Sequence, residues 1–562
     1  MGLSLCKTCC RCCPCTCCRR EDVTPGTPPQ PDPKKADNMK SVFYRTHNMD
    51  PKFLTDLERQ LDGEDNVTFT HGNEIPPRGG PQSPNDGHSA PQLAVPVYTV
   101  VPGKRRSQRL EALRTKVSTH SYAPRSDEDL EVHKGDEVEV LEEGGAWIFA
   151  KTLNADGEPQ TGYIPRTFLA NAGSLEAEDW YLDLVTKMDA KRYLMQEQNE
   201  TGSFLVWNKK DEDCYYLSVR EDSLVRNYRI HKLDGTFFLV QRAPFPSITE
   251  LVRHYRETPD GLCTKLDKPC VKLDPPPVDS ISHRMVNQLE IDPASIKKVR
   301  RLGRGQFGLV WLGLWNGTTE VAIKELQVSA ESLQKSLYEE AKTMWRLSHE
   351  KLLKLYAVCL QTQPVFIVTE YMKHGTLKRY LRGRQELRNL EFYQLVDFAV
   401  QIAQGMFYME QKGCVHRDLR SENILLSAMM SCKIGDFGLA RFMDSSSIAV
   451  SAGAQIPIKW TAPEVFQYQK YSSKSDVWSF GVLLGEIMTY GKFPFPGKTN
   501  GEYRQDILDG KPLEPPSEIH PEISHIMEMC WRHQSPTRPS FSEIESFLMD
   551  LLNPMLVDDT VE

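Results

Sequence analysis

The sequence predicts a multidomain protein in which a disordered N-terminal tail precedes a small all-β barrel, an α+β module and a larger bilobal α+β domain. The chain has 562 residues, enough for about three or four domains of ordinary size. Residues 20–110 are rich in Pro, Gly, Asp, Asn and Ser and lack apolar periodicity. Short alternating strands follow this stretch, and longer helical patterns follow the strands.

Composition narrows the class of protein. The formal net charge of −8 argues against a general nucleic-acid binder. There is no run of 18 apolar residues and no apolar leader, so we expect neither a membrane span nor a secretory signal. The predicted boundaries are 1–22 for a cysteine-rich end, 23–112 for a disordered linker, 113–173 for the barrel, 180–272 for the α+β module, 273–295 for a second linker, 296–552 for the large domain and 553–562 for a short C-terminal segment.

The N-terminal end has the composition of a lipid anchor. Eight of the fifteen cysteines lie within the first 18 residues, interspersed with basic residues. One acyl chain holds a membrane only marginally, whereas a second chain or a basic patch makes the attachment stable. We therefore predict Gly2, Cys6, Cys9 and Cys10 as lipidation sites on the anionic inner face of the plasma membrane. A thiolate metal site and no special role are the alternatives; no histidine lies nearby.

The most informative stretch is His416-Arg417-Asp418, with Asn423 five residues after the aspartate and Asp436-Phe437-Gly438 thirteen residues after that asparagine. Phosphoryl transfer requires metal ions on a triphosphate and a carboxylate beside the incoming hydroxyl. Asp418 would be that carboxylate, and Asn423 and Asp436 would bind the metal. The motifs resemble the protein-kinase catalytic loop, which implies ATP and Mg²⁺ or Mn²⁺ as cofactors.

A glycine-rich stretch at residues 303–310 has the spacing G-x-G-x-x-G-x-V. The pattern predicts a strand, a turn at Asn316-Gly317 and a second strand that carries Lys324, whereas a dinucleotide site would place a helix straight after the glycines. Lys324 would hold a cation near the phosphates and needs a partner carboxylate. Glu340, on a predicted helix, is the best match for that partner.

The kinase resemblance implies a nucleotide site between two lobes. The adenine ring would bond to the backbone near Glu370 and Met372. The predicted nucleotide-binding residues are Gly303, Arg304, Gly305, Gln306, Phe307, Gly308, Val310, Ala322, Lys324, Thr369, Glu370 and Met372. The predicted catalytic residues are Asp418, Lys324, Glu340, Arg420 and Asn423, and the predicted metal ligands are Asn423 and Asp436.

Two motifs favour tyrosine as the acceptor. Residues 418–423 resemble the tyrosine-kinase form D-L-R-A-A-N, with Arg420 where Ser/Thr kinases carry a lysine. Residues 457–464 resemble the tyrosine-kinase substrate platform, and we expect Arg538 to pair with Glu464. With the modules described next, the chain resembles Src-type cytoplasmic tyrosine kinases over residues 115–552. A low-activity membrane-bound scaffold is the alternative, and a Ser/Thr kinase is a third.

The first module resembles an SH3 domain. Strand patterns at residues 137–141, 147–150 and 162–165 are separated by turn signals, which is typical of a small barrel. The resemblance implies proline-rich ligands, for which Pro275–Pro277 of the chain is an internal candidate. His120 replaces one groove tyrosine, and an acidic loop at residues 127–129 would receive a basic ligand residue. The predicted groove residues are Tyr122, Trp147, Pro165 and Phe168.

The second module resembles an SH2 domain, but its phosphate-binding motif differs. The family reads F-L-V-R, whereas this chain has Phe204-Leu205-Val206-Trp207. An indole offers one neutral N–H in place of a bidentate charged donor. Asn227 replaces a pocket histidine, while Lys187 and Arg229 remain at flanking basic positions. We therefore predict that phosphotyrosine binding is impaired.

The regulatory tyrosines of the family are also missing. Residues 444–451 contain no tyrosine, and Ile448 stands where the activating tyrosine is expected. Residues 553–562 contain none either. We expect an enzyme that is active without loop phosphorylation and only weakly restrained by the first module bound to the second linker.

Overall fold

The computed structural model describes residues 115–153, 156–183, 186–208, 214–278, 280–285, 289–304, 308–326, 338, 341–342, 344–360, 363–387, 389–436, 456–492 and 494–555, and the backbone of residues 441–442, 448–449 and 560–561. All described residues belong to one compact unit within Thr99–Glu562. Predictions for the tail and linker (1–112), Gly2, Cys6, Cys9, Cys10, Gly305, Gln306, Phe307 and Glu340 lie outside these residues. Among the described helices, none is long and apolar enough to cross a membrane.

The first module is a five-stranded antiparallel sheet of order β4-β3-β2-β1-β5. Alternate residues of β2 point inward, and Val138 and Val140 pack with Ile148 and Ile164 in one core. The all-β prediction is therefore confirmed for this part of the chain. The strands are β1 (Thr115–Ser118), β2 (Glu137–Glu143), β3 (Trp147–Leu153), β4 (Pro159–Pro165) and β5 (Leu169–Asn171).

The second module packs two helices against a sheet of order β10-β9-β8-β7-β6. Ser247 caps the N-terminus of α2, since its side chain accepts a hydrogen bond from Glu250 N. The backbone of Thr560–Val561 (β23) pairs in parallel with Asn227 and Tyr228 of β9. The elements are β6 (Tyr181–Leu182), α1 (Lys187–Leu194), β7 (Phe204–Asn208), β8 (Tyr215–Glu221), β9 (Leu224–Leu233), β10 (Thr236–Phe238) and α2 (Ile248–Glu257).

The large domain begins with an antiparallel sheet of order β11-β12-β13-β15-β14. The glycine-rich stretch leads into strand β12, as predicted, and Asn316 and Gly317 turn the chain with φ of 47° and 78°. Two successive left-handed residues suit a tight hairpin between β12 and β13. The strands are β11 (Ile296–Arg304), β12 (Gly308–Trp315), β13 (Thr319–Leu326), β14 (Leu355–Cys359) and β15 (Val365–Glu370).

A helical lobe follows the sheet, and its core is built around the buried faces of α4 and α6. The helices are α3 (Leu377–Arg384), α4 (Phe392–Gln411), α5 (Pro463–Tyr468), α6 (Ser473–Met488), α7 (Asn500–Leu508), α8 (Pro521–Cys530) and α9 (Phe541–Leu552). Short strands are β16 (Gly375–Thr376), β17 (Cys414–Val415), β18 (Ile424–Leu426), β19 (Cys432–Ile434), β20 (Arg441–Phe442), β21 (Ile448–Ala449) and β22 (Lys470–Tyr471). The backbone of β20 pairs with β17, and that of β21 pairs with β22. Two lobes in this order confirm the bilobal prediction.

The second module also contacts the helical lobe through buried charges. Arg192 of α1 donates from Nε and Nη2 to the carboxylate of Asp397 in α4, at 3.1 and 3.2 Å. Both side chains are less than 10% exposed. Asp189 and Gln401 complete the network, bonding Arg192 and Asp397 respectively. Two elements that lie 205 residues apart in sequence are thus joined by a hydrogen-bonded ion pair.

Candidate active site

Lys324 and Asp436 meet at the mouth of the cleft between the two lobes. Lys324 lies on β13, and Asp436 follows β19. Lys324 Nζ donates to Asp436 Oδ1 at 3.0 Å, and the two side chains remain 24% and 36% exposed. Burial alone would raise the pKa of Asp436, but the lysine outweighs it and holds the pKa below its usual value. The site therefore presents an ionised carboxylate next to a cation.

Asp418 and Asn423 lie on the loop that enters the same cleft. Asn423 Nδ2 donates to Asp418 Oδ2 at 2.9 Å and to the Asp418 carbonyl at 2.8 Å. Arg420 Nε lies 3.3 Å from Asp418 Oδ1, without the alignment of a hydrogen bond. Among the residues that the structure describes, none donates a hydrogen bond to that buried Oδ1. A buried acceptor without a donor is costly in a folded protein and indicates a place for a ligand group.

Burial raises the pKa of Asp418 to about 6. Neighbouring Asp436 and Glu422 act in the same direction, whereas Arg420 and Asn423 oppose the shift. A carboxylate with a pKa closer to neutrality is a better proton acceptor than an ordinary aspartate.

The buried carboxylate of Asp476 fixes the backbone of the catalytic loop through two hydrogen bonds. Asp476, at the start of α6, accepts from His416 N at 2.7 Å and from Arg417 N at 2.9 Å. Burial raises the pKa of Asp476 to about 7, although those backbone donors oppose the shift. His416 Nε2 lies 3.0 Å from the Gly435 carbonyl, which ties the loop to the segment that carries Asp436. No local pattern in the sequence predicts this contact, because the partners lie 60 residues apart.

The residues fit the cofactors that the kinase resemblance implies. Asp436 and Asn423 offer oxygen atoms, and Mg²⁺ binds through one or two carboxylates plus substrate phosphates instead of a full protein cage. Consistent with this, the described part of the chain holds no cluster of three or more His, Cys, Asp and Glu that could bind a metal alone. Because Asn423 Nδ2 is used by Asp418, its Oδ1 is the atom available to a metal.

The remaining described nucleotide residues lie along the strands of the upper sheet. Gly303 pairs with Val310, and Val310 pairs with Lys324 across β11, β12 and β13. Ala322 and Thr369 are paired neighbours on β13 and β15, and Arg304 ends β11. A Cβ at Gly308 would lie 1.8 Å from the Glu325 carbonyl oxygen, so only glycine fits there. The described members of the set therefore share one sheet.

The segment after β15 connects the two lobes. The Glu370 carboxylate accepts from Lys433 Nζ at 2.8 and 2.9 Å, and the Glu370 backbone N–H donates to the Lys354 carbonyl at 3.1 Å. The Glu370 carbonyl oxygen accepts from Thr369 Oγ1 at 3.3 Å and has a second lone pair for a ligand. Met372 follows and is buried.

A buried ion pair joins the predicted substrate platform, residues 457–464, to Arg538 in the segment before α9. Arg538 donates from Nη1 and Nη2 to Glu464 at 2.6 and 2.8 Å, and only 2% of the arginine is exposed. The expected Arg538–Glu464 pair is confirmed. Arg417 of the loop lies over the ring of Tyr471, 5.4 Å from its centroid, in the strand that pairs with the backbone of Ile448.

In the second module, the position that normally reads phosphate is filled. Trp207 is 3% exposed, and its ring stacks on Tyr216 with centroids 4.7 Å apart. Its indole N–H donates to Ser218 Oγ at 2.8 Å, and that hydroxyl donates to Asn227 Oδ1 at 2.6 Å. Lys187 begins α1, and exposed Arg229 donates to Cys214 Sγ at 3.1 Å. Trp207 and Asn227 are thus brought together in a closed chain of hydrogen bonds.

In the first module, the four predicted groove residues form one aromatic patch. The Tyr122 ring centroid lies 6.1 Å from that of Trp147 and 5.3 Å from that of Phe168, and Pro165 pairs with Trp147. Trp147 Nε1 donates to Ser280 Oγ at 2.9 Å.

The acidic loop of that module differs from the expectation at one residue. Asp129 turns inward, where it accepts from Tyr122 Oη at 2.7 Å, so it does not face a ligand. Asp127 and Glu128 instead face the second linker, at 3.7 Å from Arg284 and 3.5 Å from His283.

Comparison with known proteins agrees with this geometry. A family profile for protein tyrosine and serine/threonine kinases matches residues 296–548, and one for SH2 domains matches residues 180–255. Human tyrosine-protein kinase FRK is 42% identical over 446 residues, which cover 77% of this chain and 88% of that protein. Identity of this extent spans the SH2 and catalytic domains together. The chain therefore belongs to the Src-type non-receptor tyrosine-protein kinases.

Proposed function

We propose that this chain is a catalytically active kinase that transfers the γ-phosphate of ATP to tyrosine hydroxyls of proteins. The observation that best supports activity is the open Asp418 Oδ1. It lies in a cleft where Lys324 and Asp436 are already paired at 3.0 Å, and it lacks a donor among the described residues. A substrate hydroxyl placed there would supply that donor.

Each side chain has a proposed role. Asp418 accepts the proton of the incoming tyrosine hydroxyl, and Arg420 orients that carboxylate. Lys324 holds the α and β phosphates, while Asn423 and Asp436 hold the divalent cations. When bound, Mg²⁺ or Mn²⁺ neutralises the charge that develops on the transferred phosphoryl group. The upper sheet, from Gly303 to Glu370, covers the nucleotide, and Met372 follows it.

Purified protein with ATP, Mg²⁺ and a Glu-Tyr copolymer tests this proposal. We expect phosphate incorporation that an Asp418→Asn variant reduces by about 10²- to 10⁴-fold, the range for loss of a general base. Phosphoamino-acid analysis should find phosphotyrosine, whereas phosphoserine would indicate a Ser/Thr kinase. Incorporation no higher than in the variant would favour the alternative, a membrane-bound signalling scaffold.

The first module is proposed to be an SH3 domain that restrains the kinase by binding the second linker as well as external proline-rich ligands. Thr167 Oγ1 donates to the Pro277 carbonyl at 2.7 Å, and Val278 packs against the module's core. His283 stacks on Tyr163 with centroids 3.4 Å apart. An external proline-rich peptide that takes over these contacts would displace the linker and release the restraint.

The SH2 domain is proposed to have lost ordinary phosphotyrosine binding. The closed chain from Trp207 through Ser218 to Asn227 supports this, because it leaves neither a charged bidentate donor nor an unpaired hydroxyl at the phosphate position. Titration with phosphotyrosine peptides tests it, and micromolar affinity that depends on the phosphate would refute it.

Anchoring to the plasma membrane through acylated Gly2, Cys6, Cys9 and Cys10 remains a proposal that rests on the sequence. It would confine the kinase to membrane-proximal signalling. Mass spectrometry of cysteines released from thioesters tests this proposal, and an unmodified tail in the protein's own cells would refute it.

A further inference from the structure

The catalytic loop carries a second acidic residue directly before Asn423. The side chain of Glu422 is 41% exposed and makes two ionic contacts. Its Oε1 accepts from Lys378 Nζ at 2.6 Å, and its Oε2 lies 3.0 Å from Arg420 Nη2. One carboxylate thus connects a lysine at the start of α3 with an arginine of the loop.

Arg420 in turn reaches the proposed base. Its Nε lies 3.3 Å from Asp418 Oδ1, and its guanidinium lies over the ring of Trp460, 5.5 Å from the centroid. A long arginine side chain samples many rotamers unless several contacts hold it. Glu422 and Trp460 supply such contacts on two sides of the guanidinium, so Arg420 is kept next to the base.

The backbone around Glu422 is held firmly, which makes its side chain a fixed anchor. Ser421 donates from N and Oγ to the buried carboxylate of Glu486, at 3.1 and 2.7 Å. The Ser421 carbonyl accepts from Lys378 N at 3.0 Å. The loop is therefore attached to α6 on one side and to α3 on the other.

The charges around Glu422 favour a role in positioning Arg420 over a role in recognising the substrate peptide. The cluster contains the carboxylates of Asp418 and Glu422 and the cations of Lys378 and Arg420, so its charges cancel. A carboxylate already paired with two cations has little attraction left for a basic residue of a substrate. Glu422 is therefore poorly placed to select substrates by charge.

We infer that Glu422, held by Lys378, is a positioning residue that fixes Arg420 against Asp418 during phosphoryl transfer to tyrosine. The inference rests on the proposed kinase activity, and it adds the residue pair that supports the base. Small misplacements of a group next to the reacting atoms lower turnover more than substrate affinity.

Steady-state kinetics of Glu422→Ala test the inference first. We expect kcat to fall about tenfold, with the peptide KM within about twofold of wild type for acidic and basic peptides alike. Glu518→Ala is the matched control, since Glu518 is 55% exposed and 3.9 Å from Lys492; its kcat should equal that of wild type. A KM that changes with peptide charge while kcat is constant would overturn the inference.

Two double variants separate positioning from simple packing. In an Arg420→Ala background, Glu422→Ala should lower kcat by less than about twofold, because it acts through the missing arginine. The charge swap Lys378→Glu with Glu422→Lys restores an ion pair between the two positions but sets a lysine against Arg420. We expect no rescue; a rescue, or additive losses with Arg420→Ala, would overturn the inference.

NMR relaxation of the Arg420 side chain distinguishes failure of this inference from failure of the proposed activity. Glu422→Ala and Lys378→Met should lower the order parameter of the Arg420 Nε–H group, while Glu518→Ala should not. This readout does not depend on turnover, so it decides the positioning role even in a wild-type protein without kinase activity. An unchanged order parameter in both variants would overturn it.

Discussion

The catalytic cleft and the altered SH2 pocket are both polar sites in folded domains, yet they satisfy their polar groups differently. In the cleft, Asp418 Oδ1 is buried without a donor among the described residues, next to a partly exposed Lys324–Asp436 pair. In the pocket, Trp207 and Asn227 are bonded through one serine and are almost fully buried. A site kept for a ligand leaves polar atoms unsatisfied, whereas a pocket that has become core satisfies them internally.

We expect the largest loss of kinase activity from replacing a side chain of the catalytic cleft. Asp436→Ala removes a proposed metal ligand and the partner of Lys324, so we expect kcat to fall by about 10²- to 10³-fold, as for loss of one group that stabilises developing charge. The melting temperature should change little, because both side chains are partly exposed. Exposed Asp550→Ala is the control, and a loss of less than about tenfold would contradict the role assigned to Asp436.

Local patterns in the sequence predicted much of the fold and of the cleft. The strand after the glycines and the Arg538–Glu464 pair follow from periodicity or resemblance. The contact between the SH2 domain and the helical lobe was not predicted, since no local pattern encodes which surfaces meet. Arg192 and Asp397 are 205 residues apart. The inward turn of Asp129 depends on the hydroxyl of Tyr122, which only the folded module brings into reach.

Among the changes that affect stability, breaking the buried contact between the SH2 domain and the helical lobe should lower the free energy of unfolding most. Asp397→Ala leaves Arg192 buried with one carboxylate fewer, and loss of one partner of a buried pair costs about 3–5 kcal/mol. We expect this loss in the free energy of unfolding, measured by denaturant titration. The double variant Asp397→Leu with Arg192→Met should recover part of it, because both members of the buried pair are then removed, while Asp189 loses its cation and keeps its hydrogen bonds from Thr186.

The same experiment sharpens the comparison of the two sites. If the SH2 domain now acts as a packing element, stability should depend more on its contact with the lobe than on Lys187 or Arg229. A Lys187→Ala variant that destabilises the protein as much as Asp397→Ala would contradict that view.

Removing the serine from the closed SH2 pocket should lower the free energy of unfolding by less than the loss of Asp397 does. Ser218→Ala leaves the Trp207 N–H and Asn227 Oδ1 buried without their partner, and each unsatisfied group costs about 1–3 kcal/mol. We expect a loss of about 2 kcal/mol in unfolding free energy, with phosphotyrosine-peptide binding as weak as in wild type. Micromolar affinity of the variant for such a peptide would show that the hydrogen bonds through Ser218 block a phosphotyrosine site that is still able to bind in their absence.

The smallest change in free energy is expected from a substitution at the contact between the first module and the second linker. Ser280→Ala removes the acceptor of the Trp147 indole N–H, and it also removes the hydrogen bond from Ser280 Oγ to the Ser282 carbonyl within the linker. The hydrogen bond between the module and the linker is worth about 1 kcal/mol. The linker should detach about fivefold more often, since 1.4 kcal/mol corresponds to a factor of ten. Limited proteolysis within residues 273–285 measures this, and Ser517→Ala on the helical lobe is the control. Equal cleavage rates would show that the other contacts of the linker, such as those of Pro277, Val278 and His283, hold it without the Trp147 hydrogen bond.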